Sequence, residues 1–251
     1  MAKKKQRLDI VLKQRGLVES RAKAQAMIMA GVVCVNGKAV SKAGHLVCQD
    51  DEIILKGKVC PFVSRGGIKL DAALKHFEID VDSRVCMDVG ASTGGFTDCL
   101  LQNGARLVYA VDVGYGQLDW SLRNRKDVIN LEKTNIRHVE RDLFDPAPEI
   151  ATVDVSFISL KTVIPAVLPL MSGSYFQIVA LIKPQFEAGP KRVGKGGIVR
   201  SEEVRREVVE DLTDFFSKEL GLHVHGLIES PISGAKGNRE YLVYLTKGVK
   251  L

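Results

Sequence analysis

Arg84-Val-Cys-Met-Asp-Val-Gly-Ala-Ser-Thr-Gly-Gly-Phe-Thr-Asp98 is the stretch on which the reading of this chain turns. Val85, Met87 and Val89 supply the apolar positions of a strand, and Asp88 places a carboxylate near its end. Gly90, Gly94 and Gly95, interleaved with Ser92 and followed by Phe96, then make a tight turn into a helix. Glycines there let the backbone pass close to a bound molecule, because no Cβ stands in the way. A nucleotide-type cofactor at the carboxyl end of a first strand is the natural reading. The glycines taken alone read better as a ligand-free strand–helix turn; two carboxylates, Asp88 and Asp112, reverse that reading.

The spacing Gly90-x-Ser92-x-x-Gly95 is not a dinucleotide fingerprint, and a carboxylate precedes its first glycine. Asp88 suits a cationic, amino-acid-like group better than a pyrophosphate. S-adenosylmethionine has such a group, with an ammonium, a sulfonium and no phosphate. A second acid, Asp112, ends the next apolar run, 107–113, and lies 24 positions after Asp88. That is about where an acid meets ribose hydroxyls in doubly wound folds. The expected cofactor set is therefore Asp88, Gly90, Ser92, Gly94, Gly95, Phe96, Asp112 and, from a later strand, Asp154.

Working outward, strand signals near 84–89, 106–112, 127–132, 150–155 and 175–182 alternate with helical ones. A helix over 67–77 precedes them, and a long amphipathic helix over 202–220 follows, capped by Ser201 and stopped by Gly221. Two last strands, 223–229 and 240–245, read as a closing hairpin. This alternation predicts a mostly parallel, Rossmann-like α/β sheet with helices on both faces and one late antiparallel strand.

The segment before it has a different character. Residues 1–58 hold twelve Lys and Arg against five acids, whereas the whole chain of 251 residues is +6, so the remainder is close to neutral. Helical spacing at Leu8, Val11 and Leu12 ends at Gly16. Ser20 caps a second helix over 21–29, and 32–35, the Asn36-Gly37 turn and 51–55 read as a small sheet. The chain is therefore expected to comprise a small α+β domain over 1–58 and a larger one over 59–251, joined by a linker at 56–61. A basic module on a near-neutral body implies a polyanionic partner.

Apolar residues make up 45% of the chain, enough for packed cores, and no apolar run reaches the ~18 residues that span a bilayer. The basic start at Lys3 to Arg7 lacks the hydrophobic segment of a signal peptide, so a cytoplasmic protein is expected. Five widely spaced cysteines form no Cys-x-x-Cys pair; reduced thiols and no metal site are the expectation.

Four charged residues interrupt apolar patterns in the larger part. Asp154 and Lys183 stand at the carboxyl ends of two strands, Glu240 opens the last strand, and Lys69 lies on the first helix. Ligands bind at that edge of a parallel sheet, so Asp154 and Lys183 are expected to face the crevice of Asp88 and Asp112. Singly, the strand-end charges read as the sheet's exit to solvent, and Lys69 as an ordinary surface charge on its helix.

Two resemblances sharpen this reading. Arg7-Leu-Asp9, Leu12, Gly16-Leu17, Ser20-Arg21, Ala24, Ile28 and Gly31-x-Val33-x-Val35-Asn36-Gly37 together resemble the ribosomal-protein-S-four-like RNA-binding domain. The resemblance implies that Arg21 and Lys23 face RNA phosphates. Arg7, Arg15, Ser20, Lys38 and Lys42, with Arg65, Lys191 and Arg192 of the larger part, are the further candidate RNA contacts. Second, Lys69, Asp154, Lys183 and Glu240 follow the order of the catalytic set in FtsJ-like ribose 2′-O-methyltransferases. Ser64-Arg-Gly-Gly-x-Lys69-Leu, the 88–98 turn, Asp112-Val-Gly-Tyr-Gly-Gln117-Leu, Asp154-Val-Ser-Phe-Ile-Ser159-Leu, Lys183-Pro-Gln-Phe-Glu187 and Lys236-Gly-Asn238 resemble the TlyA family of that class. The resemblance implies S-adenosylmethionine as methyl donor and ribosomal RNA or a ribosomal subunit as partner. The target it implies is a cytidine ribose, in large-subunit RNA first and small-subunit RNA second.

The chemistry asks for such a set. A ribose hydroxyl must lose its proton as it attacks, and a Lys, with an ordinary pKa of about 10.4, needs desolvation or a second cation to serve as base. Lys183 is the expected base or alkoxide stabiliser, Lys69 positions the hydroxyl, and Asp154 and Glu240 orient the amines. The basic loop 189–198 is expected to be mobile and to order on RNA, Thr134 and Asn135 to reach the cofactor's adenine, and Trp120 to pack internally. Three rival readings stay open here. They are a pseudouridine synthase with Asp71 as nucleophile, a pore-forming cytolysin, and a ribosome-associated factor without turnover.

Overall fold

The computed structural model describes residues 5–29, 31–55, 60–173 and 175–248; residues 56–59 of the expected linker lie outside them. The chain divides into two compact units, Met1–Val59 and Cys60–Leu251.

In the first unit, β1 (Gln6–Arg7), α1 (Leu8–Gln14), α2 (Arg21–Met29), β2 (Val33–Val35), β3 (Lys38–Ala39), β4 (Leu46–Val47) and β5 (Ile53–Leu55) follow one another. The sheet order is β3-β2-β5, with β1 and β4 as a separate antiparallel pair. Asn36 and Gly37 take positive φ between β2 and β3, as that two-residue turn requires. Leu8, Leu12, Ala24, Ile28 and Val33 are wholly buried and form the core.

The second unit is a seven-stranded sheet in the order β11-β12-β10-β9-β6-β7-β8. Its strands are β6 (Val85–Val89), β7 (Leu107–Val111), β8 (Val128–Leu131), β9 (Ile150–Val153), β10 (Phe176–Ile182), β11 (His223–Glu229) and β12 (Tyr241–Lys247). The helices are α3 (Gly66–His76), α4 (Gly95–Gln102), α5 (Trp120–Arg123), α6 (Leu160–Val167), α7 (Pro184–Glu187) and α8 (Glu202–Asp214). Strands β6 to β10 run parallel, and β12 is antiparallel to both β10 and β11. The late antiparallel strand predicted from the closing hairpin is thus β12. Two apolar clusters, one on each face of the sheet, carry the core. The order reverses between β6 and β9, which opens a crevice at their carboxyl ends.

Two boundaries differ from the sequence reading. The amphipathic helix leaves α-geometry at Asp214 and ends in a wider turn over Phe215–Glu219, where the Leu220 amide reaches the Phe215 carbonyl at 3.2 Å. That slip keeps Phe216 wholly buried while Phe215 rides at the core's edge. Glu240 precedes β12 rather than opening it. The loop expected to be mobile carries a bridge between Gly194 and Ile198, and Asn238 pins its end by donating to the Gly197 carbonyl at 2.9 Å.

Candidate active site

Strand ends bring the expected charges to one edge. The β10–β12 ladder closes at Ile182 opposite Tyr241, so the next register position sets Lys183 opposite Glu240. The β6–β9 ladder closes at Val89 opposite Val153, which sets Gly90 opposite Asp154. A cavity of about 340 Å³ opens there, lined among others by Lys69, Gly90, Ser92, Gly95, Phe96 and Asp154. That size lies within the range of small-molecule sites.

Two amines and two acids form two pairs. Lys69 Nζ donates to Glu240 Oε2 at 2.5 Å, and the two side chains are 11% and 2% exposed. Lys183 Nζ lies 2.5 Å from Asp154 Oδ1 and donates to Ser156 Oγ at 2.9 Å. Each ammonium therefore has its own carboxylate. Asp154 Oδ1 is thus buried against the Lys183 ammonium, while the Asp154 side chain as a whole stays 21% exposed at the cavity. The loop carrying Ile232, Ser233, Gly234 and Ala235 forms another wall. Gly234 is required in it, since a Cβ would stand 1.8 Å from Glu240 Oε1.

The glycine turn works differently from the sequence expectation. Gly90 has φ +87°, and a Cβ there would lie 2.4 Å from the Asp154 carbonyl oxygen. Gly90 thus lets β6 and β9 approach where the cavity floor forms. Gly94 does not line the cavity; at φ +93° its missing Cβ makes room for Leu118 and Leu122. Gly95 admits Ser64 at the start of α3, and so helps place the helix that carries Lys69.

Both expected acids of the cofactor set are engaged within the protein. Asp88 is not open to the crevice: it is wholly buried and accepts from Thr97 Oγ1 at 2.7 Å and Thr152 Oγ1 at 3.1 Å. Burial pushes its carboxyl up to about 7, against the pull of the two hydroxyls. Its carboxylate braces the glycine turn from beneath through Thr97 and Thr152. Asp112 accepts from the Ser92 amide at 2.8 Å and the Gly114 amide at 2.7 Å, which joins the glycine turn to the end of β7. Each carboxylate oxygen keeps a second acceptor site.

Several candidate RNA contacts are likewise occupied. Asp9, wholly buried, holds Arg7 at 3.0 Å, Arg21 at 2.9 Å and Gln25 at 2.8 Å. These bonds, Arg7's first, hold its carboxyl far below the usual range. Arg15 donates to the carbonyls of Gln49 and Asp51, and Ser20 caps α2 through the Lys23 amide. Arg192 pairs with Glu207 at 2.6 Å and also donates to the Ala188 carbonyl. Lys38, Lys42, Arg65 and Lys191 are exposed, and Lys23 is half-buried. Of these, Arg65 lies at the cavity.

Thr134 donates to the Glu132 carbonyl at 3.1 Å and Asn135 caps the following turn. Two other expectations are corrected. Trp120 is 76% exposed rather than packed. Asp71 pairs with Lys75 one helical turn away and is absent from the cavity wall, which removes the basis for a pseudouridine synthase nucleophile.

Sequence reasoning gave no role to Ser156 or Phe157. Phe157 is 89% exposed, holds φ +64° and packs at a tilt against Phe186, with ring centroids 4.8 Å apart. A bulky residue in the left-handed region is costly to hold, and such outliers gather at functional sites. The five polar and apolar letters between Asp154 and Leu160 carry no periodicity that would have signalled it.

Among the described residues no helix is long and apolar enough to cross a membrane, and no group of His, Cys, Asp and Glu could hold a metal ion. Comparison with known proteins places this geometry in context. Residues 62–247 match the model for FtsJ-like methyltransferases, and residues 6–53 match the S4 domain. The chain is 47% identical over 247 residues to a Bacillus subtilis protein named "Putative rRNA methyltransferase YqxC", with 98% of this chain and 87% of that one covered. It is 42% identical over 240 residues to the Mycobacterium tuberculosis 16S/23S rRNA (cytidine-2′-O)-methyltransferase TlyA, covering 95% and 89%. A solved structure described as "Putative hemolysin from Streptococcus thermophilus" superposes with a TM-score of 0.76 at 44% identity, covering 98% and 90%.

Proposed function

Because this chain belongs to the FtsJ-like methyltransferase family, in its TlyA branch, and carries an amino-terminal S4 domain, we propose that it methylates the 2′-hydroxyl of a cytidine ribose in ribosomal RNA. Large-subunit RNA is the first candidate substrate and small-subunit RNA the second, with S-adenosylmethionine as donor. The observation that carries the reading is the double pair at the sheet edge, Lys69–Glu240 and Lys183–Asp154, with Asp154 shared by the cavity wall and the second pair.

The residues present fit the donor. Gly90, Ser92, Gly95 and Phe96 line the cavity, Asp112 closes the turn beside it, and the partly exposed carboxylate of Asp154 at the cavity wall suits a cationic or N–H-bearing group. The bound donor would supply an electrophilic methyl on sulfur. Lys183 would take the hydroxyl proton as a neutral amine, or stabilise the alkoxide as an ammonium, with Asp154 and Ser156 aiming the nitrogen. Lys69, fixed by Glu240, would hold the ribose hydroxyl from α3. A base matched to working pH contributes ~10²–10⁴-fold, and alignment of hydroxyl and methyl supplies much of the rest. Phe157 offers an exposed ring beside this set on which a base can stack.

Recruitment falls to the basic first unit, through Lys23, Lys38 and Lys42, and at the catalytic unit to Arg65 and Lys191. Phosphate contacts of this kind position RNA without reading its sequence. A cytoplasmic setting goes with a ribosomal substrate. The test is a map of ribose 2′-O-methylation on ribosomal RNA from cells with and without the protein. Loss of methylation at a cytidine, restored by the parent gene and not by a Lys183→Ala version, is the expected result. Unchanged methylation in both subunits' RNA would remove the proposal.

A further inference from the structure

The loop after β9 carries Asp154 to Ser159 and must be held still for Lys183 to be aimed. Among the described residues, no backbone–backbone hydrogen bond involves Val155, Ser156, Phe157 or Ile158. The near end is anchored by the Asp154 amide on the Val89 carbonyl at 2.9 Å. The far end is anchored from elsewhere. Glu187 Oε2 accepts from Ser159 Oγ at 2.6 Å, and Glu187 Oε1 accepts from the Leu160 amide at 2.8 Å. Ser159 is the N-cap of α6 and accepts from the Lys161 amide at 3.1 Å, so its hydroxyl is satisfied in both directions.

Glu187 is the last residue of α7, the single turn that begins directly after Lys183. The Phe186 amide returns to the Lys183 carbonyl at 2.9 Å, which makes Lys183 and Glu187 ends of one rigid turn. Between the two anchors, Phe186 supports Phe157. The two loops that bear the Lys183–Asp154 pair are therefore clasped at three levels: the ion pair, the ring pair and the Glu187 carboxylate. Charge-assisted bonds of a carboxylate to an N-cap are among the stronger ones available. Burial raises the Glu187 carboxyl from its ordinary value, partly offset by the Ser159 and Leu160 bonds. The group is thus kept at a desolvation cost.

We infer that Glu187 is a positioning residue for methyl transfer, which sets the loop that orients Lys183 while touching neither donor nor ribose; the inference rests on the role proposed for Lys183. Glu187→Ala should lower kcat about 10²-fold, the scale of a 1 Å misplacement of reacting groups. KM for RNA and the affinity for S-adenosylhomocysteine should stay unchanged. Glu187→Gln can still accept from the Leu160 amide and meet the Ser159 hydroxyl, so it should retain most of the parent rate.

The experiment measures steady-state transfer of labelled methyl to ribosomal subunits from cells lacking the protein, with the full chain. S-adenosylhomocysteine titration and thermal unfolding accompany each variant, and Lys183→Ala runs in parallel. A parental kcat in Glu187→Ala would overturn the inference. So would a loss that appears only in KM or only through unfolding, or a Gln variant no better than the Ala variant. Full activity in Lys183→Ala is a different failure, because it strikes the proposed role of Lys183 itself.

Discussion

Lys69 and Glu240 make a quantitative test of the site, because they are buried together and come from distant parts of the chain. Their side chains are 11% and 2% exposed and meet at 2.5 Å. Truncating one partner of such a pair leaves the other charge buried without a counter-ion and costs about 3–5 kcal/mol. Lys69→Met should therefore destabilise the second unit by that amount. For a domain of this size the cost corresponds to a fall in melting temperature of about 6–20 °C. The double variant Lys69→Met/Glu240→Leu removes both charges and should recover most of the loss, since replacing a buried pair by apolar groups is often neutral. The cycle is read from unfolding curves of the parent, both single variants and the double variant, with a coupling of about 2 kcal/mol or more expected. Both single variants and the double variant should lack methyl transfer. A cost below about 1 kcal/mol for Lys69→Met, or a double variant no more stable than the single one, would refute the claim that this pair is a desolvated unit.

Other outcomes follow from single positions. Asp88 has a folded pKa of about 7 against an ordinary 3.8, so its contribution is fully present below about 4 and is lost as pH rises through about 7. Asp88→Asn should therefore gain stability relative to the parent over that window, read by denaturation at stepped pH; a constant difference would contradict the burial. Gly90→Ala meets both a φ of +87° and the Asp154 carbonyl at 2.4 Å, so it should cost more than the ~1–2 kcal/mol of a left-handed alanine and weaken S-adenosylhomocysteine binding. Asp9→Ala leaves Arg7 and Arg21 without their shared carboxylate and should unfold the first unit, seen as lost RNA affinity while S-adenosylhomocysteine still binds.

What was legible in the sequence was what periodicity and strand-end charges record. The alternation of strands and helices, the late antiparallel strand and the four catalytic candidates were all written as interruptions of apolar patterns. Less legible was which polar groups the protein would use on itself. Asp88 looks like a ligand-facing acid in sequence and Arg7 like a free RNA contact, yet Thr97 and Thr152 hold the one and Asp9 the other. Gly94 reads as a ligand glycine, but the side chains that require it, Leu118 and Leu122, come from a loop and helix more than 20 residues on. Phe157 and Glu187 were quoted within motifs, but their roles depend on two loops meeting in space, and no one-dimensional period encodes that.

The most direct test of the central claim is methyl transfer by Lys183→Ala measured beside its affinity for S-adenosylhomocysteine. Catalysis should vanish while the affinity stays near that of the parent protein. Undiminished transfer, or affinity lost together with transfer, would contradict the assignment of Lys183 to the ribose hydroxyl.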